Sequence, residues 1–147
     1  MKKRIISLLL GAVLALGVFA LCSCEKKSDA EQLIGTWRTD NMGYYTITTF
    51  TADGKLRSDY GVSDASKCEA MGLNEEVLDS MDNEIFYKSV TSEELTEEEK
   101  NEANGQSAIK IYMTREDMDA DENGAVSYYS VKDGTLTIDG CVYTRAE

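Results

Sequence analysis

The chain has 147 residues, with 15 Lys and Arg against 27 Asp and Glu, so its formal net charge is −12. This acidic balance argues against nucleic-acid binding and against docking on anionic lipid headgroups, because both need clustered basic side chains. The sequence contains no histidine, which removes the usual general base and the commonest zinc ligand. No nucleophile–base pair or metal cage is visible, and we therefore expect a protein that is not an enzyme.

The first part of the chain has the pattern of an export signal. Residues 2–4 are all basic, residues 5–21 are apolar and uncharged, and a polar stretch begins at Glu25. This order of segments is typical of a signal peptide. The alternative is an uncleaved N-terminal helix, for which Lys26 and Lys27 are the only hint.

Leu21-Cys22-Ser23-Cys24 resembles a bacterial lipobox, in which a small residue precedes the modified cysteine and a leucine stands three positions before it. Cys24 meets both conditions, whereas bulky Leu21 precedes Cys22. The resemblance implies a lipoprotein precursor whose signal peptide, residues 1–23, is removed. Acyl chains on Cys24 would then hold the protein in the lipid bilayer, on the extracytoplasmic face of the cell membrane.

A polar tether, 24–31, is predicted to lead into one domain over 32–147, which is long enough to bury a core. Residues 44–51 are rich in β-branched and aromatic side chains, which favours a strand. Asp53-Gly54 is a hairpin turn signal, and 55–60 can form the returning strand.

The middle of the chain, 61–106, is predicted to be a largely helical insertion. Asp64 and Asn74 are suitable N-caps for two short helices. Residues 84–90 read as a strand. The acidic stretch 91–104 contains a capping box but few large apolar residues, so it predicts a solvated helix or partial disorder.

Strand patterns return towards the end of the chain, and two Asp-Gly turns separate the last three strands. The predicted strands of this part are 108–114, 125–132, 135–138 and 141–145. With the earlier strands the total is about eight, which predicts a mostly β protein built as a small, closed, antiparallel up-and-down barrel.

Gly35 and Trp37 form a Gly-x-Trp pattern at the first strand, and Tyr143-Thr144-Arg145 ends the last one. With the Asp-Gly turns, these residues resemble the lipocalin-like domains of bacterial secreted lipoproteins. The resemblance implies that Trp37 closes one end of the barrel and that Arg145 packs across the indole. The helical, acidic segment 61–106 departs from the family pattern.

The strand tyrosines suggest a binding function without catalysis. We expect a small apolar or amphipathic ligand held among five residues: Tyr44, Tyr45, Ile47, Tyr128 and Tyr129. The same residues can be ordinary strand positions with one face turned inward. The alternative function is a structural or protein-interaction domain at the cell envelope, with 61–106 as its contact surface.

Asp119, Asp121 and Asn123, followed by Gly124, match the front of an EF-hand calcium loop, whose oxygens occupy alternate positions before a glycine. The twelfth position is Ser130 rather than the bidentate glutamate. A strand pattern also follows the glycine where a helix is expected. An acidic hairpin tip is therefore the alternative to a calcium site, and no other cofactor is expected.

Cys68 and Cys141 are the cysteines of the predicted domain. Outside the cytoplasm they can form one disulfide, and two buried free thiols are the alternative. No C-x-x-C pair is present in the sequence, which argues against a redox active site.

Overall fold

Eight strands form one closed antiparallel barrel in the computed structural model, which describes residues 27–146. Each strand pairs with its neighbours in the chain, and the last strand pairs with the first, as predicted for an up-and-down barrel. The strands are β1 Gly35–Asp40, β2 Tyr44–Phe50, β3 Lys55–Val62, β4 Asn83–Val90, β5 Ser107–Tyr112, β6 Ala125–Lys132, β7 Thr135–Ile138 and β8 Cys141–Arg145. The prediction of a closed, mostly β barrel is confirmed.

Within residues 27–146, five short helices lie before and between the strands. They are α1 Asp29–Leu33, α2 Ala65–Ala70, α3 Glu75–Met81, α4 Glu97–Ala103 and α5 Arg115–Ala120. Each begins after a residue whose side chain accepts a hydrogen bond from the first turn, which satisfies a backbone donor that the helix leaves unpaired. These caps are Ser28, Asp64, Asn74, Thr96 and Thr114.

The helices change the predicted boundaries of the domain. Helix α1 begins at Asp29, inside the segment expected to be a tether. The segment 61–106 contains the end of β3, two helical connections and the complete barrel strand β4. Helix α5 lies between the predicted strands 108–114 and 125–132, where no helix was expected from the sequence. The export signal and Cys24 lie outside the described residues.

The strands are strongly staggered around the barrel. The stagger is seen by moving from Trp37 to its paired residue on β2, then to that residue's partner on β3, and so on around the barrel. To reach a paired position on the next strand, the path must shift along the strand by three residues on β4, one on β5, four on β6 and four on β8. It then returns to Trp37 through its partner Arg145. With the usual strand rise and spacing, this stagger corresponds to a tilt of about 45° from the barrel axis. Because consecutive strands are antiparallel, the connections between them alternate between the two ends of the barrel. We call the end next to α1 the closed end.

A layer of large side chains fills the closed end. Its buried members are Leu33, Trp37, Phe50, Leu56, Tyr87, Ile109, Tyr129 and Leu136. The Phe50 and Tyr87 rings meet edge to face, with their centroids 5.2 Å apart, an arrangement that the ring quadrupoles favour. The layer contains side chains from α1 and from strands β1 to β7, and Tyr143 of β8 packs against it. It therefore contacts all eight strands.

Trp37 and Arg145 lie together across the closed end. The Arg145 guanidinium carbon is 4.1 Å from the centroid of the Trp37 ring. Arg145 Nη1 donates to the Ile34 carbonyl at 2.9 Å and Nη2 donates to the Gln32 carbonyl at 3.0 Å. The guanidinium thus binds the end of α1 to the last strand. A side chain at Gly35 would overlap the guanidinium, which explains the glycine in the Gly-x-Trp pattern.

Candidate functional site: an open cup in the barrel

The half of the barrel interior away from α1 is lined differently from the closed end. Side chains alternate between the two faces of a strand, and Trp37 sets the inward face because it is buried in the core. Thr48 pairs with Trp37, Ser58 pairs with Thr48, and Tyr60 pairs with Thr46, so these positions also face inward. We call this half the cup. The cup residues considered below are Tyr44, Thr46, Thr48, Ser58, Tyr60, Ile85, Ile111, Ser127, Ile138 and Tyr143.

The apolar residues of the cup are incompletely covered. Ile85, Ile111, Ile138 and Tyr143 pack on the core layer, yet each is only partly buried. By contrast, Trp37 and other residues of the layer beneath have no exposed surface. The side chains of the cup are therefore less completely covered than the layer beneath, which forms the floor of the cup.

Four hydroxyl groups face this space. Thr46, Thr48, Ser58 and Ser127 are each 7–9% exposed. Among residues 27–146 none of these hydroxyls has a hydrogen-bond partner, and no fully enclosed side-chain oxygen or nitrogen there lacks one. These hydroxyls are therefore not fully enclosed, and each retains some accessible surface. At that surface they can bind water or a ligand.

Charged side chains lie outside the cup. Neighbouring strand positions on the outer face carry ion pairs, such as Arg38–Asp40 at 2.7 Å and Arg57–Asp59 at 2.6 Å. Within the described part of the chain, the cup residues themselves include no Lys, Arg, Asp or Glu. The site therefore offers apolar surface and neutral hydrogen-bonding groups.

Tyrosines stand at the cup wall. The rings of Tyr44 and Tyr60, on paired strands, have centroids 6.5 Å apart and are tilted by 41°. Burial raises the pKa of the Tyr143 hydroxyl above its ordinary value. Such rings provide a flat apolar face and one polar tip each.

The five predicted ligand residues are not brought together. Tyr44 lies on the cup wall, and Tyr129 belongs to the packed layer below it. Tyr45, under the Arg38 guanidinium, and Ile47 are on the outer face of β2. Tyr128 is also outside the barrel, where its hydroxyl donates to Glu102 at 3.2 Å.

The hydroxyl residues of the cup, among them Thr46 and Thr48, were not identified from the sequence. The signal that could have found them is the strand alternation counted from Trp37 and Phe50. It places even-numbered residues of β2 and β3 inside. The two faces of β2 are similar in composition, so composition alone does not distinguish them.

The residues of the predicted calcium loop lie at the end of α5 and in the connection to β6. Asp119 lies on α5, and Asp121 ends this helix with a left-handed backbone, φ 54°. Its carboxylate accepts from the Tyr112 hydroxyl at 2.5 Å, and the Asn123 amide donates to Asp117 at 2.9 Å. Over residues 27–146, no three His, Cys, Asp or Glu side chains are grouped to hold a metal ion.

The sequence left two alternatives open for Cys68 and Cys141, one disulfide or two buried free thiols; both thiols are free in the structure, and Cys68 is buried. Cys68 is 1% exposed on α2, and its thiol donates to the Gly43 carbonyl at 2.8 Å. Cys141 is exposed at the start of β8. The Cys68 thiol thus joins α2 to the β1–β2 connection.

No protein-family model, curated protein or solved structure matches this chain. Among residues 27–146, no helix has both the length and the apolar character needed to cross a bilayer.

Buried tyrosines make the barrel sensitive to alkali. Burial raises the pKa of Tyr87, Tyr112 and Tyr129, for Tyr129 to about 12, and an unfolded tyrosine ionises near pH 10. Their contribution to stability is complete below about pH 10 and falls as the pH rises towards 12, because the unfolded chain then binds fewer protons. Urea midpoints measured across this range should decline. Tyr129→Phe should show a shallower decline. Urea midpoints of the original chain that do not change with pH over this range would contradict the contribution of the buried tyrosines.

Proposed function

We propose that this protein is a non-enzymatic, lipid-anchored binding protein that holds a neutral amphipathic small molecule in its cup. The observation that carries the proposal is the open half of the barrel, where partly exposed apolar side chains and partnerless hydroxyls share one space. Pockets for small molecules commonly combine apolar walls with a few polar groups that fix orientation.

The chemistry of the cup defines the ligand class. An apolar part of the ligand would pack on Ile85, Ile111 and Tyr143, above the core layer. Hydroxyl or carbonyl groups of the ligand would bond Thr46 and Thr48. A charged ligand is disfavoured because burying an unpaired charge is costly and the cup residues carry no opposite charge.

The anchoring part of the proposal rests on Cys24 and on the position of α1. Helix α1 begins at Asp29, a few residues after Cys24, and packs at the closed end through Leu33. Acylation of Cys24 would place the closed end nearest the extracytoplasmic surface of the membrane. The cup would then open away from the bilayer, towards ligands or proteins of the envelope.

Binding of the neutral fluorescent probe N-phenyl-1-naphthylamine tests the cup, with neutral monodecanoylglycerol and anionic decanoate as competitors. Thr48→Trp places a large ring in the cup, and the adjacent Thr49→Trp, on the outer face of the same strand, is the matched control. We expect probe binding in the original chain and in Thr49→Trp, and about tenfold or greater loss in Thr48→Trp. The monoglyceride should displace the probe better than decanoate.

If circular dichroism shows that both tryptophan variants are folded and they bind the probe with equal affinity, the cup is not the binding site. If the original chain does not bind the probe, the proposed class of neutral amphipathic ligands is wrong. Acylation is read separately, from the mass of the N-terminal peptide of membrane-extracted protein. Cys24→Ser should release the protein from the membrane without changing probe affinity.

A protein-interaction domain at the envelope is the second candidate. It is favoured by exposed apolar side chains of the β3–β4 connection, where Met71 is 42% and Val77 is 37% exposed. This function does not exclude ligand binding, because the connection and the cup are separate surfaces.

A further inference from the structure

A groove between α2 and α3 lies beside the mouth of the cup, and its helical residues are not used by the proposed ligand. Its volume is about 290 Å³, enough for one or two large side chains, and it is open to solvent on one side. Val62, Ala65 and Leu73 provide apolar surface, and Glu69 and Glu75 lie on its edges. The groove therefore combines an apolar floor with acidic borders.

The two helices form a fixed platform. Leu78 of α3 has no exposed surface, and Cys68 of α2 is 1% exposed and bonded to Gly43. The Asp82 carboxylate at the end of α3 accepts from the Tyr60 amide at 2.8 Å, which joins the helix to β3. A groove that is ordered before binding costs less conformational entropy on association.

Acidic side chains without a partner lie at the groove and further along α3. Among residues 27–146, no hydrogen-bond or ion-pair partner is present for the carboxylates of Glu69 and Glu75 at the groove, or for those of Glu76 and Asp79 outside its lining. Lys67, the basic residue between Asp64 and Asn83, is already paired with Asp64 at 3.3 Å. The surface potential around the groove is consequently negative, which attracts basic partners and repels acidic ones.

We propose that this groove docks a basic amphipathic helix of a partner protein, with an apolar side chain seated on Val62 and Leu73 and with Lys or Arg residues facing Glu69 and Glu75. Helix-in-groove recognition uses this combination of an apolar anchor and flanking charges. A second copy of this acidic chain is disfavoured by like-charge repulsion, and so is an anionic lipid surface. Val62 pairs with Tyr44 of the cup wall, so a bound partner would lie beside the mouth of the cup.

The probe is a synthetic helical peptide of leucine and lysine, compared with its leucine–glutamate counterpart. Binding is measured to the full chain in phosphatidylcholine nanodiscs, with empty nanodiscs subtracted. We expect the lysine peptide to bind at least about tenfold more tightly than the glutamate peptide, and its affinity to fall as salt is added.

Two pairs of variants test the site. Ala65→Trp fills the groove, and Ser66→Trp, at the next position and outside the lining, is its control. Glu69→Gln with Glu75→Gln removes the bordering charges, and Glu76→Gln with Asp79→Asn is the charge-matched control. The groove variants should weaken lysine-peptide binding about tenfold or more, and the controls much less.

Equal weakening by each variant and its control would overturn the proposal, as would equal binding of the two peptides. Groove-dependent self-association in sedimentation, or groove-dependent binding to anionic vesicles, would assign the surface to a second copy or to a membrane instead. Ala65→Trp should leave N-phenyl-1-naphthylamine binding unchanged, which separates failure of this proposal from failure of the cup.

Discussion

Replacing Trp37 with alanine is expected to lower the free energy of unfolding by about 3–5 kcal/mol, a large part of the stability of a small domain. Trp37 has no exposed surface, and its Nε1 donates to the Leu33 carbonyl at 2.8 Å. The variant leaves a cavity in the core layer and removes the ring on which the Arg145 guanidinium stacks. Urea unfolding followed by far-ultraviolet circular dichroism measures the loss.

Circular dichroism is needed because Trp37 is the single tryptophan of the chain, and the variant has no indole fluorescence. Trp37→Phe is the control, since it keeps an aromatic ring but removes the hydrogen bond to Leu33. Trp37→Phe should lower the free energy of unfolding clearly less than Trp37→Ala does. A loss below about 1 kcal/mol for Trp37→Ala would mean that the closed end does not depend on the indole.

Leu78→Ala is the second large effect, with an expected loss of about 2–5 kcal/mol. Leu78 is the buried residue of α3, and α3 packs against β3. On the edge of β3 that faces β4, only Lys55 to Ser58 pair with β4, and α3 lies next to the remaining residues of that edge. Removing the Leu78 side chain should loosen the packing of α3 on β3. Urea unfolding and faster hydrogen exchange at the Tyr60 amide report the two consequences.

Val77→Ala is the matched control on the same helix, because Val77 is 37% exposed. Its effect should stay within about 0.5 kcal/mol. Similar losses in the two variants would show that α3 is held by its backbone and caps rather than by the Leu78 side chain.

The barrel could be predicted because its turns carry local signals. Asp133 and Gly134 both have positive φ, and so do Asp139 and Gly140. Tight hairpins need this backbone, and Asp-Gly pairs adopt it at low cost. The turn positions separated the last three strands in the sequence, and neighbouring strands joined by such turns pair with each other.

The site residues could not be predicted with the same success, because the two faces of β2 are chemically similar. Tyr45 and Ile47 resemble inward residues in composition, whereas Thr46 and Thr48 are the positions that point inward. The pairing of Thr48 with Trp37 and the alternation that ends at buried Phe50 decide which face points inward. The same limit applies near Asp119, where the capping residue Thr114 and helix α5 were overlooked because the acidic spacing resembled a calcium loop.

The contacts between helix α1 and strand β8 have a consequence for how the chain folds during synthesis. A polypeptide leaves the ribosome with its N-terminus first, so the Gln32 and Ile34 carbonyls are made long before Arg145, their donor. Pairing of β1 with β8 joins residues more than a hundred positions apart and is a late, non-local step. The sheet can thus become a cylinder only after Arg145, near the end of the described residues, has been added.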